Sequence, residues 1–121
     1  MDKNTPQAKM KILICGTRKK GYQGIVNDTL NSIKIGFEVI EGCCPDSADE
    51  YAEKWAKDRK IKLYHFPSTS GNYLKRNIEM VTIADMVIAF WDGFSYGTAH
   101  TIAQAVKKGI PITIIDIRRN T

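Results

Sequence analysis

Five short apolar runs punctuate the chain, and stretches of helical period separate them. Residues 11–15 (KILIC), 37–41 (FEVIE), 62–66 (KLYHF), 86–90 (MVIAF) and 112–117 (ITIIDI) read as strands. The first helix is expected over about 25–35, with Gly36 where a left-handed cap belongs. Ser47 and Glu50 have the spacing of a capping box, and Ala48, Tyr51, Ala52, Trp55 and Ala56 keep helical period down to about Arg59. A third helix over 74–84 puts Leu74, Ile78 and Val81 on one face. A fourth from Thr98 aligns Ala99, Ile102, Ala103 and Val106, carries Lys107 and Lys108 in its last turn, and stops at Gly109 and Pro111. Strands alternating with helices in this way imply a parallel sheet covered on both faces. The expectation is an α/β fold: a Rossmann-like three-layer α/β/α sandwich with a five-stranded parallel sheet in the order 3-2-1-4-5. It spans residues 11–121 as a single domain, after a flexible polar lead-in over 1–10 and with a basic tail over 118–121.

The 121 residues suffice for one domain with a real core and are too few for two. No apolar run approaches the roughly 18 residues that cross a bilayer, and the N-terminus is not signal-like, so a cytoplasmic protein is expected. Three cysteines, two of them adjacent, make neither a disulfide framework nor a pair of metal-ligand motifs. Reduced thiols, no metal and no cofactor follow as expectations. The formal charge of +5, from 18 basic and 13 acidic residues, is dispersed along the chain. It suits a phosphate-bearing small molecule as well as it suits nucleic acid.

The loops carry the candidate chemistry. The fourth strand runs into Trp91-Asp92-Gly93-Phe94-Ser95-Tyr96-Gly97-Thr98, a turn with two glycines, hydroxyl groups and one carboxylate ahead of a helix. Such a turn is either a tight connection or a phosphate cradle, because glycine admits close approach and the helix N–H groups attract an anion. After the first strand, Gly16-Thr17-Arg18 opens a basic loop in which Arg18 is either solvated or a bidentate phosphate ligand. After the second, Gly42, Cys43 and Cys44 lead to Ser47 and Asp49. Asp49 either complements the helix dipole or accepts a hydrogen bond from a ligand ribose or base. The two cysteines read as small residues beside a site rather than nucleophiles, since no histidine is close in sequence, and His65 reads as a partly buried structural residue. Arg76 opposes the dipole of its own helix and so requires an anion, either a ligand phosphate or an acidic side chain. If the strand order is 3-2-1-4-5, the first and fourth loops flank the point where that order reverses, where such folds bind ligands. Neither the dinucleotide fingerprint nor the Walker P-loop is present.

Gly16-Thr17-Arg18, Glu41-Gly42 with Ser47-Ala48-Asp49, Gly71 with Arg76-Asn77 and Met80, and Ala89-Phe90-Trp91-Asp92-Gly93 with Ser95, Gly97-Thr98 and His100-Thr101 together resemble the YspA/YpsA-related branch of the SLOG superfamily. That superfamily includes the Lonely-guy phosphoribohydrolases and DNA-processing protein A. The resemblance implies a nucleotide or nucleotide-derived ligand held by the loops around Gly16, Gly42 and Gly97, with the Gly97-Thr98 helix start at a phosphate. Arg76-Asn77-x-x-Met80 is similar to a phosphoribohydrolase segment whose arginine takes part in catalysis. Those enzymes carry glutamates where this chain has His100 and Thr101, so the carboxylate expected for N-glycosidic cleavage is absent from that place.

Three functions follow as expectations. The first is sensing or sequestration of a nucleotide derivative such as an ADP-ribose-like molecule. The second is a nucleotide-processing enzyme in which Arg76 orients phosphate and Asp92, Asp49 or His100 supplies acid–base chemistry, Asp92 foremost. The third is single-stranded nucleic-acid binding, for which Tyr22, Tyr73 and Tyr96 are the candidate stacking residues. Met80, Ile83, Ile102 and Val106 exceed what one sheet face needs, which points to a homodimer or larger homo-oligomer.

Overall fold

A computed structural model describes residues 9–68 and 71–118. The lead-in over 1–8 and residues 119–121 of the tail lie outside the described residues. Nine elements alternate along the chain: β1 (Met10–Gly16), α1 (Gln23–Asn31), β2 (Phe37–Glu41), α2 (Ala48–Asp58), β3 (Leu63–His65), α3 (Tyr73–Ile83), β4 (Met86–Trp91), α4 (Tyr96–Lys108) and β5 (Ile112–Asp116). The strands form one parallel sheet in the order β3-β2-β1-β4-β5. This is the Rossmann-like α/β sandwich expected from the sequence.

Side chains alternate across the sheet, so the continuous apolar strands supply two cores. Ile12 and Ile14 of β1 with Ile88 and Phe90 of β4 meet Val26 and Leu30 of α1 and Ala52 and Trp55 of α2. Leu13 and Cys15 with Val87 and Ala89 meet Met80 and Val81 of α3 and Ala105 of α4 on the other face. β1 therefore lies at the centre, buried on both sides.

Several local expectations are corrected. α1 ends at Asn31 with a right-handed cap at Ser32, and Gly36 has no left-handed backbone. The hydroxyls of Thr29 and Ser32 donate to the carbonyls of Ile25 and Thr29, side-chain bonding that competes with continuation of the helix. Gly109, by contrast, takes the left-handed cap of α4 at φ 83°. The capping box is modified: Ser47 Oγ accepts from Asp49 N, whereas Glu50 takes the backbone N–H of Asp46.

Two helical faces are rotated from the expected ones. α3 buries Asn77, Met80 and Val81 and leaves Ile78 outside, and α4 buries Thr98, Thr101 and Ala105 and leaves Ala103 and Val106 outside. Met80 is thus a core residue, and Ile83 and Ile102 pack against the core. Of the four residues read as surplus, only Val106 faces outward. The cause lies in the first turns of both helices, where polar residues turn inward toward a cleft at the end of the sheet.

Candidate functional site

The cleft occupies about 510 Å³ at the carboxyl ends of β1, β2 and β4. It sits where the chain crosses from β3 through α3 to β4, the reversal point of the strand order. Its lining includes Gly16, Arg18, Gly42, Cys43, Asp49, Arg76, Asn77, Ser95, Gly97 and Thr98 of the residues expected from sequence. Thr17 and Ser47 are buried outside that lining, and Asp92 and the exposed Gly93 are not part of it.

Two glycines permit the close approaches on which the cleft depends. A Cβ on Gly16 would lie 2.7 Å from the Phe90 carbonyl oxygen and 2.8 Å from both the Ala48 Cβ and the Tyr22 hydroxyl. That hydroxyl donates to the carbonyl of Thr17 and accepts from Ala48 N at 2.8 Å, tying the β1 loop to the start of α2. Tyr22 is consequently buried and offers no stacking face, a correction to its place among the candidate stacking residues. A Cβ on Gly42 would meet the Arg76 guanidinium.

Arg76 answers the question its position raises. From the first turn of α3, Nη1 donates to the carbonyls of Gly42 (2.5 Å) and Phe66 (3.2 Å), and Nε donates to Asn77 Oδ1 (3.1 Å). It clamps the β2 and β3 loops together, and no acceptor among the described residues meets Nη2. Asn77, which is buried, extends toward the carbonyl of Gly97 and the His100 ring at 3.4 Å. Arg18 is exposed, with its Nη2 3.4 Å from Cys44 Sγ.

The start of α4 has no side-chain cap and no acidic residue in its first turn. Ser95, the residue that would cap it, directs its hydroxyl to Thr17 Oγ1 and Asp92 Oδ1, both at 3.1 Å. Asp92 Oδ1 also accepts from the backbone N–H groups of Phe94 (2.8 Å) and Ser95 (2.9 Å). Burial alone would raise the Asp92 carboxyl, but these donors outweigh it and hold the group below the usual carboxylate range. Asp92 thus braces the loop, and the uncapped N–H groups of α4 stand beside a cleft lined by two guanidinium groups.

Asp49 has the opposite environment. Its Oδ2 accepts from Gly42 N at 3.1 Å and Cys44 N at 3.4 Å, yet burial and then the charge of Glu41 push its carboxyl up to about 7. Among the described residues it is the carboxylate lining the cleft. Thr101 is buried and also lines the cleft, with Oγ1 donating to the Gly97 carbonyl.

His65 differs from its reading as a partly buried structural residue. Its side chain is 46% exposed, and it lies beside Cys43, with Nδ1 3.3 Å from the thiol and also against Glu41 Oε2. The histidine absent from the local sequence is thus brought in by pairing of β2 with β3. Burial, followed by the charges of Glu41 and Glu53, nonetheless pushes the Cys43 thiol up to about 11, so it is not an activated nucleophile.

Sequence reasoning missed Pro67, which also lines the cleft; a proline at the turn-rich segment after β3 was the available signal.

The Gene 61 protein of Mycobacterium phage D29 is 31% identical over 117 residues, covering 84% of this chain and 93% of that protein. The chain belongs to the family of that phage protein. Its fold is shared more widely: the X-ray structure of TM1055 matches over 86% of this chain and 72% of its own length, with a TM-score of 0.64 at 18% identity. No protein-family model matches the sequence. Among the described residues, no helix is long and apolar enough to cross a membrane.

Proposed function

We propose that this member of the phage Gene 61 family binds a nucleotide or nucleotide-derived small molecule, as a SLOG-type sensor or sequestering protein of the YspA-related branch, in the cytoplasm. The observation that carries this reading is the uncapped start of α4, beside a cleft that Arg76 and Arg18 also line. A helix N-terminus, a guanidinium whose Nη2 meets no acceptor among the described residues and a second, exposed guanidinium form a set suited to a di- or triphosphate. Tyr73 in the cleft lining, and Phe94 and Tyr96 exposed on either side of Ser95, supply faces for a base.

A thermal-shift screen against nucleotides, NAD, ADP-ribose and cyclic derivatives tests this reading, with mass analysis of each stabilising compound after long incubation. Ligand at a hundred times its dissociation constant stabilises the fold by about 2.7 kcal/mol. The expected result is a stabilising nucleotide recovered intact. Arg18→Ala should weaken that binding by roughly tenfold, about 1.4 kcal/mol, without changing the melting point of the free protein. No shift with any nucleotide would overturn the reading.

The second reading is a nucleotide-processing enzyme, and one observation favours Asp49 over Asp92 as its acid: Asp49 lines the cleft and keeps its proton to about pH 7. Recovery of base and ribose phosphate from the screen would establish it. Single-stranded nucleic acid is the weaker third partner, because Tyr22 is buried and the remaining tyrosines form no stripe with basic residues. We also propose a homodimer or larger homo-oligomer, now resting on Ile78 of α3 and Val106 of α4, which are 45% and 65% exposed. Light scattering at a monomeric mass would reject it.

A further inference from the structure

At the β2 rim of the cleft, three side chains of different chemistry converge from separate parts of the chain. Glu41 ends β2 and is fully buried, Cys43 follows it in the loop, and His65 ends the edge strand β3. Their ligand atoms all lie within 4.8 Å of one another. Cys43 Sγ is 3.3 Å from His65 Nδ1 and 3.9 Å from Glu41 Oε2, while His65 Nδ1 and Glu41 Oε2 are in direct hydrogen-bond contact. We propose that Glu41, Cys43 and His65 bind a zinc-class divalent cation, with Glu53 as the positioning residue for the histidine.

The geometry suits a tetrahedral ion. With bonds of about 2.3 Å to sulfur and 2.1 Å to nitrogen and oxygen, the ligand atoms of such a site stand about 3.4–3.6 Å apart. The two edges at Cys43 are already close to that value. The third opens when the ion replaces the hydrogen bond between His65 and Glu41. The backbone of Cys43 is held for this arrangement: its φ of 61° is left-handed, and its N–H donates to Glu41 Oε1 at 2.6 Å, so residue 43 folds back over the carboxylate.

A carboxylate also stands behind the histidine: Glu53 Oε1 lies 3.1 Å from His65 Nε2, placed to take the Nε2 proton as Nδ1 turns to the metal. This carboxylate–histidine arrangement is the one metal-ligating imidazoles ordinarily require. Binding displaces two protons to solvent, the thiol proton of Cys43 and the one shared between His65 Nδ1 and Glu41 Oε2, and the thiolate and carboxylate neutralise the dication. Three protein ligands leave a fourth position for water or a ligand atom. A thiolate, imidazole and carboxylate together favour zinc over magnesium or calcium, which take oxygen ligands. The proposal is independent of nucleotide binding, since it rests on neither Arg76 nor α4.

The test is equilibrium dialysis of the chelator-stripped full chain against zinc alone, with affinity measured by competition with a chromophoric chelator. Cys43→Ser, His65→Gln and Glu53→Gln are compared with wild type, and the melting point of each zinc-free variant reports its folding. The expected result is one zinc per chain, an affinity at least 100-fold lower in C43S and H65Q, and one 10–100-fold lower in E53Q. Cobalt(II) should give a thiolate charge-transfer absorption that C43S abolishes. The absence of stoichiometric zinc, or an affinity that C43S or H65Q leaves unchanged, would overturn the proposal.

Discussion

Asp49 shows how strongly one residue's surroundings decide its role. The same carboxylate type at Asp92 is loaded with donors and stays ionised, whereas burial and Glu41 keep Asp49 protonated to about pH 7. In the unfolded chain an aspartate loses its proton near 3.9. Because the folded value is raised, this stabilising contribution is fully present below the unfolded value and is lost as pH rises through about 7. Urea unfolding between pH 4 and 8 should therefore show a decline in stability that is smaller in Asp49→Asn, whose amide oxygen can still accept from Gly42 and Cys44. Parallel profiles for the two proteins would contradict this assignment. Gly16 is constrained by space rather than charge. Gly16→Ala drives a methyl into a backbone carbonyl and the Ala48 side chain and should cost about 1–3 kcal/mol in denaturant unfolding. Glycine at this position was legible in the sequence as a close-approach residue, although the partner responsible, Tyr22, was not. Its hydroxyl acts across 26 residues to Ala48, beyond the reach of any local pattern.

At the scale of elements, helices α3 and α4 carry the features that periodicity misjudged. The Leu74–Ile78–Val81 stripe is a valid apolar face, but the helix turns so that Asn77 and Met80 enter the cleft side while Ile78 stays outside. Polar residues that belong to a site lower the apparent apolarity of the face that is in fact buried, and a pattern of hydrophobic positions then finds only part of it, here Val81 of α3 and Ile102 of α4. Lys108 was similarly legible only in part. It was expected to complement the dipole of its own helix, yet its Nζ donates to the carbonyls of Val81, Thr82 and Ala84 at 2.7–2.9 Å and so caps α3 from α4. Lys108→Met should lower stability by about 1–2 kcal/mol, and differential scanning calorimetry should register it as a drop of several degrees in Tm. An unchanged Tm would show that water replaces the ammonium group at no cost.

For the whole molecule, the strand order was the decisive inference, because it places the β1 and β4 loops on either side of one crossover before any side chain is considered. Strands with continuous apolar runs and a regular alternation with helices made that order readable from the chain. The cleft residues on those loops followed from it. What the chain order could not show was the meeting of Glu41, Cys43 and His65, since β3 reaches them only by pairing with β2. Amide NMR during titration with ADP-ribose and adenosine diphosphate reads whether a phosphate-bearing ligand sits at the start of α4 between Arg76 and the β1 loop. The largest shifts should fall on Gly97, Thr98, Gly42 and Gly16. Shifts confined to another surface, such as the groove between α1 and α2 at Asn27 and Trp55, or no shifts at saturating nucleotide, would contradict it.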